Sequence, residues 1–226
     1  SQNNKKSTIN TKLCYISKIM NSAKKQNKIK SKPTITKFKV KNARQARISK
    51  EDEQKIMEYF DINKMPRMKN IVTLLIETGI RKGEMYKLTR ETLLVDKGKH
   101  GCIVLYDTKN GEDRIVPLTQ KAMEALVYLF QTSETKYAVY EKYNKLRYDW
   151  EKMKKAIGKE TEKDFVIHTC RHTCCTRLLA NNAPLKKVQL WLGHKRIETT
   201  MRYTHLIAND IMDMTQFLEE PKTETE

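Results

Sequence analysis

One β segment interrupts an otherwise helical pattern: CIVLYDTKNGEDRIVPL, residues 102–118. Two runs rich in β-branched and apolar residues flank Lys109-Asn110-Gly111, and Asn-Gly is the strongest short signal for a β-hairpin. We therefore expect an antiparallel hairpin with Lys109 at its tip. Because no comparable segment occurs elsewhere in the sequence, the sheet should be small.

Helical patterns lie on both sides of this hairpin. On the N-terminal side we expect helices at about 49–60 and 67–78. Ser49 and Asp52 form a capping-box pattern before the first helix, and Gly79 is a normal C-terminal breaker for the second. On the C-terminal side we expect helices near 119–130, 137–156, 169–182 and 185–192, and a last pair at about 196–205 and 209–218. The predicted fold class is mainly α with a small antiparallel β-sheet.

The basic charge is concentrated at the N-terminal end. Of the 45 Lys and Arg residues, 15 lie within the first 50 residues, which contain no Asp or Glu. Such a segment favours nucleic acid as partner, because each neutralised phosphate releases condensed counterions. A membrane surface is the second option, but an aromatic or leucine-rich insertion face is missing. The residues that we expect to contact DNA are Lys5, Lys6, Lys24, Lys25, Lys37, Lys39, Lys41, Arg44 and Arg47.

The cysteine pattern argues against a disulfide framework. The chain has five cysteines, Cys14, Cys102, Cys170, Cys174 and Cys175, and this odd number with an adjacent pair fits a reducing cytosol. Zinc is the alternative for the last three, but structural zinc needs two ligand pairs and the sequence has no second cluster. We expect small buried thiols and no metal.

Four short motifs follow one another at characteristic spacing. They are Thr78-Gly79-Ile80-Arg81-Lys82-Gly83-Glu84-Met85, His168-Thr-Cys-Arg171-His172-Thr, Leu192-Gly193-His194 and Thr200-Met201-Arg202-Tyr203-Thr204-His205. Arg171 precedes His194 by 23 residues, and His194 precedes Tyr203 by nine. In this order the motifs resemble those of the tyrosine recombinases, the phage integrase family, over residues 49–210.

The resemblance implies cofactor-free transesterification at a DNA phosphodiester. Tyr203 would attack the scissile phosphate, giving a 3′-phosphotyrosyl bond and a free 5′-hydroxyl. Arg81 and Arg171 would clamp the non-bridging oxygens, because a guanidinium pairs bidentately and keeps its charge. No metal, nucleotide or other cofactor is implied.

Five further residues receive roles from the same resemblance. Lys109 would protonate the departing 5′-oxygen, although hairpin-tip lysines are common on surfaces. His168 would assist proton transfer at Tyr203, and His194 would donate a hydrogen bond to the phosphate. Glu84 would orient its neighbours, and His172 would support the site, with a packing role equally open for it.

Two aromatic regions need separate consideration. Val188, Leu190 and Trp191 are expected to lie in the core rather than to stack on DNA. Four tyrosines interleaved with basic residues could either contact the DNA backbone or form the core face of a solvated helix. These are Tyr137, Tyr140, Tyr143 and Tyr148, with Lys142, Lys145 and Arg147.

By the same resemblance, the chain would have four parts. Residues 1–22 would be the last helix of a helical core-binding domain, 23–47 a basic interdomain linker, 48–208 the catalytic domain, and 209–226 a C-terminal helix and acidic tail. The C-terminal helix would dock either in its own subunit or in a neighbour.

The implied function is site-specific recombination that integrates or excises a phage or other mobile element in a bacterial cytoplasm. The partners would be double-stranded DNA at recombination sites, three further copies in a synaptic tetramer, and accessory excision or DNA-bending factors. A monomeric free state and no membrane partner are expected. Type IB topoisomerase-like DNA relaxation and a catalytically silent DNA-binding regulator are the alternatives.

Overall fold

The chain forms two units, Ser1–Arg44 and Gln45–Glu226. The computed structural model describes residues 6–39, 46–106, 113–201 and 203. The first unit contains helix α1, Lys6–Lys25, followed by extended chain. Asn10 ties this chain to the helix, because its amide donates to the Phe38 carbonyl at 2.8 Å and accepts from the Phe38 N–H at 2.9 Å. The apolar spacing of Ile9, Leu13, Ile16 and Ile19 predicts a helix over residues 8–22, and the observed helix is longer at both ends. Its assignment to a core-binding domain stays a prediction.

The second unit contains most of the helices and a three-stranded sheet. Its elements are α2 Lys50–Ile62, α3 Pro66–Thr78, α4 Lys82–Met85, a 3-10 turn Arg90–Thr92, β1 Leu93–Leu94, β2 Cys102–Leu105, β3 Arg114–Pro117, α5 Gln120–Gln131, α6 Tyr143–Ala156, α7 Thr169–Ala180, α8 Leu185–Leu192 and α9 Glu198–Met201. The mainly α class with a small antiparallel sheet is confirmed. Among the described helices, none combines the length and hydropathy needed to cross a bilayer.

The sheet has the order β1-β2-β3 and is antiparallel throughout. Ile103 of β2 pairs with Val116 of β3 and with Leu93 of β1. The hairpin strands are as expected, but β1 was not predicted. A strand of two residues has no alternation to detect, and it exists because β2 offers it an edge. Residues 107–112, which include Lys109, lie outside the described residues.

Helix α3 is the centre of the core. Ile71, Leu74, Leu75 and Ile76, the apolar positions that predict a core-facing side for this helix, are all buried. The helix packs against α2, α5 and α7. Each such side chain removed from water contributes roughly 1.5–3 kcal/mol. Because α3 is held on three sides, the position of its C-terminal end is well determined, and the first motif begins there.

The segment before α6 differs from the prediction. A helix was expected over residues 137–156, but α6 begins at Tyr143. Tyr137 forms an isolated antiparallel bridge with Thr89, and the Ala138 N–H donates to the Leu88 carbonyl at 2.9 Å. Pairing with this neighbouring segment overrides the local helical tendency.

Two expectations near the C-terminus are also corrected. Leu190, expected in the core, is 62% exposed, while Val188 and Leu192 of the same helix are buried and Trp191 is half-buried. The helix expected at 196–205 is the single turn α9, and Tyr203 follows it in a turn. The helix expected at 209–218 lies outside the described residues.

Candidate active site

A glycine brings the first motif against the second and third. Gly79 ends α3 in the left-handed conformation, with φ +63°, and its N–H donates to the Leu75 carbonyl. A Cβ on Gly79 would come within 2.7 Å of Leu192 Cδ2 and 3.0 Å of Cys174 Sγ. Glycine is required here both for the backbone conformation and for the close approach of α7 and α8.

Arg81 follows this turn and is held by two partners. Its backbone N–H donates to Glu84 Oε2 at 2.7 Å, and its Nη1 donates to Glu84 Oε1 at 2.8 Å. Its Nη2 donates to the Gly193 carbonyl at 2.6 Å. The first and third motifs are therefore joined through one guanidinium group.

Glu84 is buried between two arginines. Arg114, the first residue of β3, donates from Nη1 and Nη2 to the two Glu84 oxygens, both at 2.8 Å. Burial raises the pKa of Glu84, but hydrogen bonds from Arg114 and Arg81 outweigh it and lower the pKa to about 2. Glu84 is therefore a carboxylate at neutral pH and accepts hydrogen bonds from Arg81, and its role in orienting Arg81 stays a prediction.

Arg171 is buried at the start of α7. Its Nη1 donates to the Gly79 carbonyl at 2.6 Å, and its Nη2 donates to the Leu192 carbonyl. Burial and the nearby charge of Arg81 lower its pKa to about 10, so it stays protonated at neutral pH. Main-chain carbonyls at the ends of α3 and α8 thus fix this guanidinium.

His194 lies just beyond the end of α8, where Gly193 has φ +61°. Its Nδ1 is 2.9 Å from the hydroxyl of buried Thr200. Burial and the charges of Arg171 and Arg81 lower the pKa of His194 to about 3, so the ring is neutral. In the tautomer in which Nδ1 accepts from Thr200, Nε2 carries a proton and can donate it in a hydrogen bond.

These groups leave an excess of positive charge. Arg81, Arg114 and Arg171 carry three positive charges, Glu84 carries one negative charge, and His194 is neutral. The formal surplus is therefore two charges in a half-buried setting, which favours an anion and most of all one whose charge grows during reaction.

Tyr203 contacts the second motif through a histidine. Its hydroxyl hydrogen-bonds to Nδ1 of His172, and the two ring centroids are 5.6 Å apart. His168, the N-cap residue of α7, lies edge-on to His172 at 4.9 Å. The resemblance implied His168 as the helper of Tyr203, whereas this described contact is made by His172.

Other expected site residues are less well defined by the structure. Lys109, Lys5, Lys41 and Arg44 lie outside the described residues. The remaining basic residues expected at DNA are exposed; they are Lys6, Lys24, Lys25, Lys37, Lys39 and Arg47. Exposure is necessary for DNA contact but does not test it, so these contacts stay predictions.

The four interleaved tyrosines are not core residues. All are 37–55% exposed, and each ring lies under a cation: Lys136 on Tyr137, Arg67 on Tyr140, Lys82 on Tyr143 and Lys152 on Tyr148. The buried face of α6 is formed by Leu146, Trp150 and Met153 instead. Of the two alternatives, the aromatic core face is therefore wrong.

The cysteines of α7 are buried, as expected. Burial raises the pKa of Cys174 and Cys175 to about 12, and it raises the pKa of Cys170 further. They are therefore thiols rather than thiolates at neutral pH. Across the part of the chain that the structure describes, no group of three potential ligands is placed to hold a metal.

Arg114 is the site residue that the sequence reasoning missed. Strand alternation contained a signal for it, since Arg114 shares a face with buried Val116 two residues later. A charged residue on the inner face of a strand needs an opposite charge. Its partner, Glu84, is 30 residues away in sequence, so the pairing was invisible before folding.

Comparison with known sequences agrees with these motifs. The phage integrase family model matches residues 46–210. Tyrosine recombinase XerA of Saccharolobus solfataricus is 31% identical over 162 residues, which cover 71% of this chain and 53% of XerA. Tyrosine recombinase XerD of Halalkalibacterium halodurans is 31% identical over 160 residues, covering 66% and 52%. The chain spans about half the length of these relatives.

Solved structures show the same fold. The Tn1549 transposon integrase, in complex with a circular intermediate DNA, matches with a TM-score of 0.75 at 17% identity, covering 96% of this chain and 81% of that one. The catalytic domain of bacteriophage HP1 integrase matches with a TM-score of 0.60 at 22% identity, covering 76% and 94%. Since the family model spans most of the chain and includes all four motifs, the chain belongs to the phage integrase family of tyrosine recombinases.

Proposed function

We propose that this chain is the catalytic part of a site-specific DNA recombinase that integrates or excises a mobile element. The observation that carries the proposal is the convergence of Arg81, Arg171 and neutral His194 on the ends of α3 and α8. A partly exposed tyrosine, Tyr203, bonded to a histidine of the same α7 helix as Arg171, supports it. Membership of the family makes DNA strand exchange the natural use of this arrangement.

The proposed reaction is a reversible transesterification. The Tyr203 oxygen attacks phosphorus while the bond to the 5′-oxygen breaks, and the phenolic proton passes to a neighbouring base. The departing 5′-oxygen takes a proton, for which Lys109 is the proposed donor, and leaves as a hydroxyl. A 5′-hydroxyl from another strand then attacks the phosphotyrosine, so the phosphodiester is restored without external energy.

The charge of the site suits this reaction. A phosphodiester carries one negative charge, and its five-coordinate transition state carries a second. Arg81 and Arg171 would donate to the non-bridging oxygens, and His194 would donate from Nε2. Because these donors are already oriented by carbonyls and by Glu84, little reorganisation is needed as the charge develops.

The proposed partners follow from the same reading. Double-stranded DNA would bind the basic residues of both units, and four copies would assemble on two duplexes, with accessory excision or DNA-bending factors setting direction. We further propose that residues 1–22 are the last helix of a core-binding domain, 23–47 a linker, 48–208 the catalytic domain and 209–226 a C-terminal docking segment. The bacterial cytoplasm is the proposed location.

The test is an SDS gel of the chain with a nicked suicide substrate made from the ends of its element. We expect a covalent protein–DNA band with the wild type and none with Tyr203→Phe. DNA binding with no adduct from either protein would favour a silent DNA-binding regulator. Relaxation of supercoiled DNA lacking the element ends would favour a topoisomerase-like activity.

A further inference from the structure

We infer that Arg114 is a positioning residue for phosphate binding: it holds Glu84, and through Glu84 the guanidinium of Arg81, in the orientation that receives the scissile phosphate. The inference rests on the proposed function, since it concerns how that same site is kept in shape. It assigns a role to a strand residue that the four motifs do not include.

Arg114 is fixed by hydrogen bonds to two different elements. Its Nη1 and Nη2 each donate to one oxygen of Glu84 at 2.8 Å, and its Nε donates to the Trp191 carbonyl at 3.2 Å. Only 10% of its side chain is exposed. A planar guanidinium bonded on two edges to partners from two elements has little freedom to turn.

Each of the two carboxylate oxygens of Glu84 accepts hydrogen bonds from both Arg81 and Arg114. Oε1 accepts from Nη1 of both Arg81 and Arg114, while Oε2 accepts from Nη2 of Arg114 and from the backbone N–H of Arg81. If Arg114 were replaced, Arg81 would be the one guanidinium among the described residues that still bonds to the buried carboxylate of Glu84. We expect Arg81 to turn towards both oxygens and away from the Gly193 carbonyl.

Gly193 also lies directly against Arg114. A Cβ on Gly193 would lie 2.8 Å from Nη1 of Arg114 and 3.0 Å from its Cζ, so the backbone before His194 rests directly on this guanidinium. Arg81 donates to the carbonyl of the same glycine. Arg114 therefore also contacts the glycine whose carbonyl accepts from Arg81.

The position of Arg114 adds a link to the hairpin. Arg114 is the first residue of β3, and β3 packs against α8. The strand that follows the hairpin turn is thereby attached to the segment that carries Gly193 and His194.

Arg67 provides a matched control elsewhere in the same unit. It donates from Nε and Nη2 to Glu141 and from Nη1 and Nη2 to the carbonyls of Leu129 and Ala138. Its side chain is 18% exposed. It thus resembles Arg114 in burial and in bonding to a carboxylate and carbonyls, but it anchors the connection between α5 and α6.

The experiment is a double-mutant cycle on the rate of covalent adduct formation with the suicide substrate. Arg114→Met and Arg67→Met are each made in the wild type and in Arg81→Lys. If Arg114 acts through Arg81, Arg114→Met should slow the wild type about 100-fold and the Arg81→Lys protein less than about 5-fold. Arg67→Met should slow both backgrounds by the same small factor.

A second variant separates orientation from charge. Arg114→Lys keeps the positive charge, but one ammonium cannot span both Glu84 oxygens and the Trp191 carbonyl. We expect its rate to stay within about 3-fold of the Arg114→Met rate, and recovery to the wild-type rate would overturn the inference. If Arg114→Met lacks a cooperative unfolding transition, Arg114→Lys takes its place in the cycle.

The outcomes distinguish this inference from the proposed function. If the wild type forms the adduct and Arg114→Met costs the same factor in both backgrounds, Arg114 is a structural residue and the inference fails alone. If the wild type forms no adduct but Tyr203→Phe and the wild type bind DNA equally, the proposed function fails and the inference fails with it.

Discussion

The arginine side of the site, which is proposed to bind phosphate, is anchored to main-chain carbonyls, whereas its tyrosine side is joined side chain to side chain. Arg81 and Arg171 bond to the carbonyls of Gly193, Gly79 and Leu192, which end two helices. Tyr203 follows a four-residue helix and meets His172 through its hydroxyl. We expect substitutions on the arginine side to lower both the free energy of unfolding and the rate of adduct formation. Substitutions on the tyrosine side should lower the rate of adduct formation with little loss of stability.

The largest effect is expected at Arg171. Arg171→Ala removes a proposed phosphate ligand and leaves two buried carbonyls without their donor. We expect adduct formation to fall about 1000-fold and the free energy of unfolding to fall by about 2–4 kcal/mol. Suicide-substrate kinetics and urea unfolding measure the two quantities.

Arg177→Ala on the same helix is the control, because Arg177 bonds to Glu53 away from the site. It should leave the cleavage rate within about 3-fold of the wild type, since a partly exposed ion pair contributes little. Arg171→Ala cleaving at such a rate would contradict the phosphate-ligand assignment.

The tyrosine side should show the opposite pattern. His172→Leu removes the described partner of the Tyr203 hydroxyl, and we expect adduct formation to slow about 100-fold. Because His172 is half-buried, the free energy of unfolding should change by less than about 1 kcal/mol. The same rate and unfolding measurements apply.

His168→Leu tests which histidine serves Tyr203. If His168→Leu is as slow as His172→Leu, the edge-on pair acts as a unit. A slow His168→Leu beside a normal His172→Leu would mean that the described contact belongs to the DNA-free protein, and that His168 assists the reaction as the family resemblance implies.

Three glycines separate backbone strain from steric contact. Gly193 combines φ +61° with the close approach of Arg114, Gly158 has φ +74° with no described atom near its Cβ position, and Gly83 has neither constraint. We expect Gly193→Ala to destabilise by about 2–3 kcal/mol, Gly158→Ala by about 1 kcal/mol, and Gly83→Ala not at all. Thermal and urea unfolding measure the loss of stability in each variant. Equal losses for Gly193→Ala and Gly158→Ala would show that Arg114 moves aside freely.

The remaining effect concerns the pH dependence of stability. The pKa of His194 falls from 6.5 to about 3 on folding, so between these values the unfolded chain binds a proton that the folded chain does not. Stability is therefore complete above pH about 6.5 and declines as pH falls, by at most about 1.4 kcal/mol per unit. Glu84 adds to the decline only below its ordinary pKa of 4.5.

Urea unfolding at pH 7 and pH 5 checks this linkage. His194→Asn should lose less stability than the wild type between the two values, because asparagine has no proton to gain. An equal loss in both proteins would mean that His194 titrates normally in the folded state.

The sequence predicted features that depend on neighbouring residues better than features that depend on contacts between residues far apart in the chain. The helix α8 and the buried face of α3 follow from local periodicity, and their bounds were close. Leu190 was misplaced because a helix of two turns gives too few positions to tell its buried face from its exposed one. Tyr137 was placed in a helix because its bridge to Thr89 depends on chain 48 residues earlier.

The site shows the same limit. Arg81, Arg171, His194 and Tyr203 became candidates because their motifs have recognisable neighbours. Arg114 was missed because its role depends on contacts with Glu84, Trp191 and Gly193. These contacts form only when β3 packs on α8. Long-range ion pairs are therefore the part of this site that the sequence alone did not reveal.

The most direct test of the account is to identify the linked residue and the chemistry of the bond. After reaction with the suicide substrate, the adduct is digested with trypsin and nuclease, and the nucleotide-bearing peptide is sequenced by mass spectrometry. We predict a nucleotide joined through its 3′-phosphate to Tyr203, together with a free 5′-hydroxyl on the released strand. Attachment at another residue, or through a 5′-phosphate, would contradict the account.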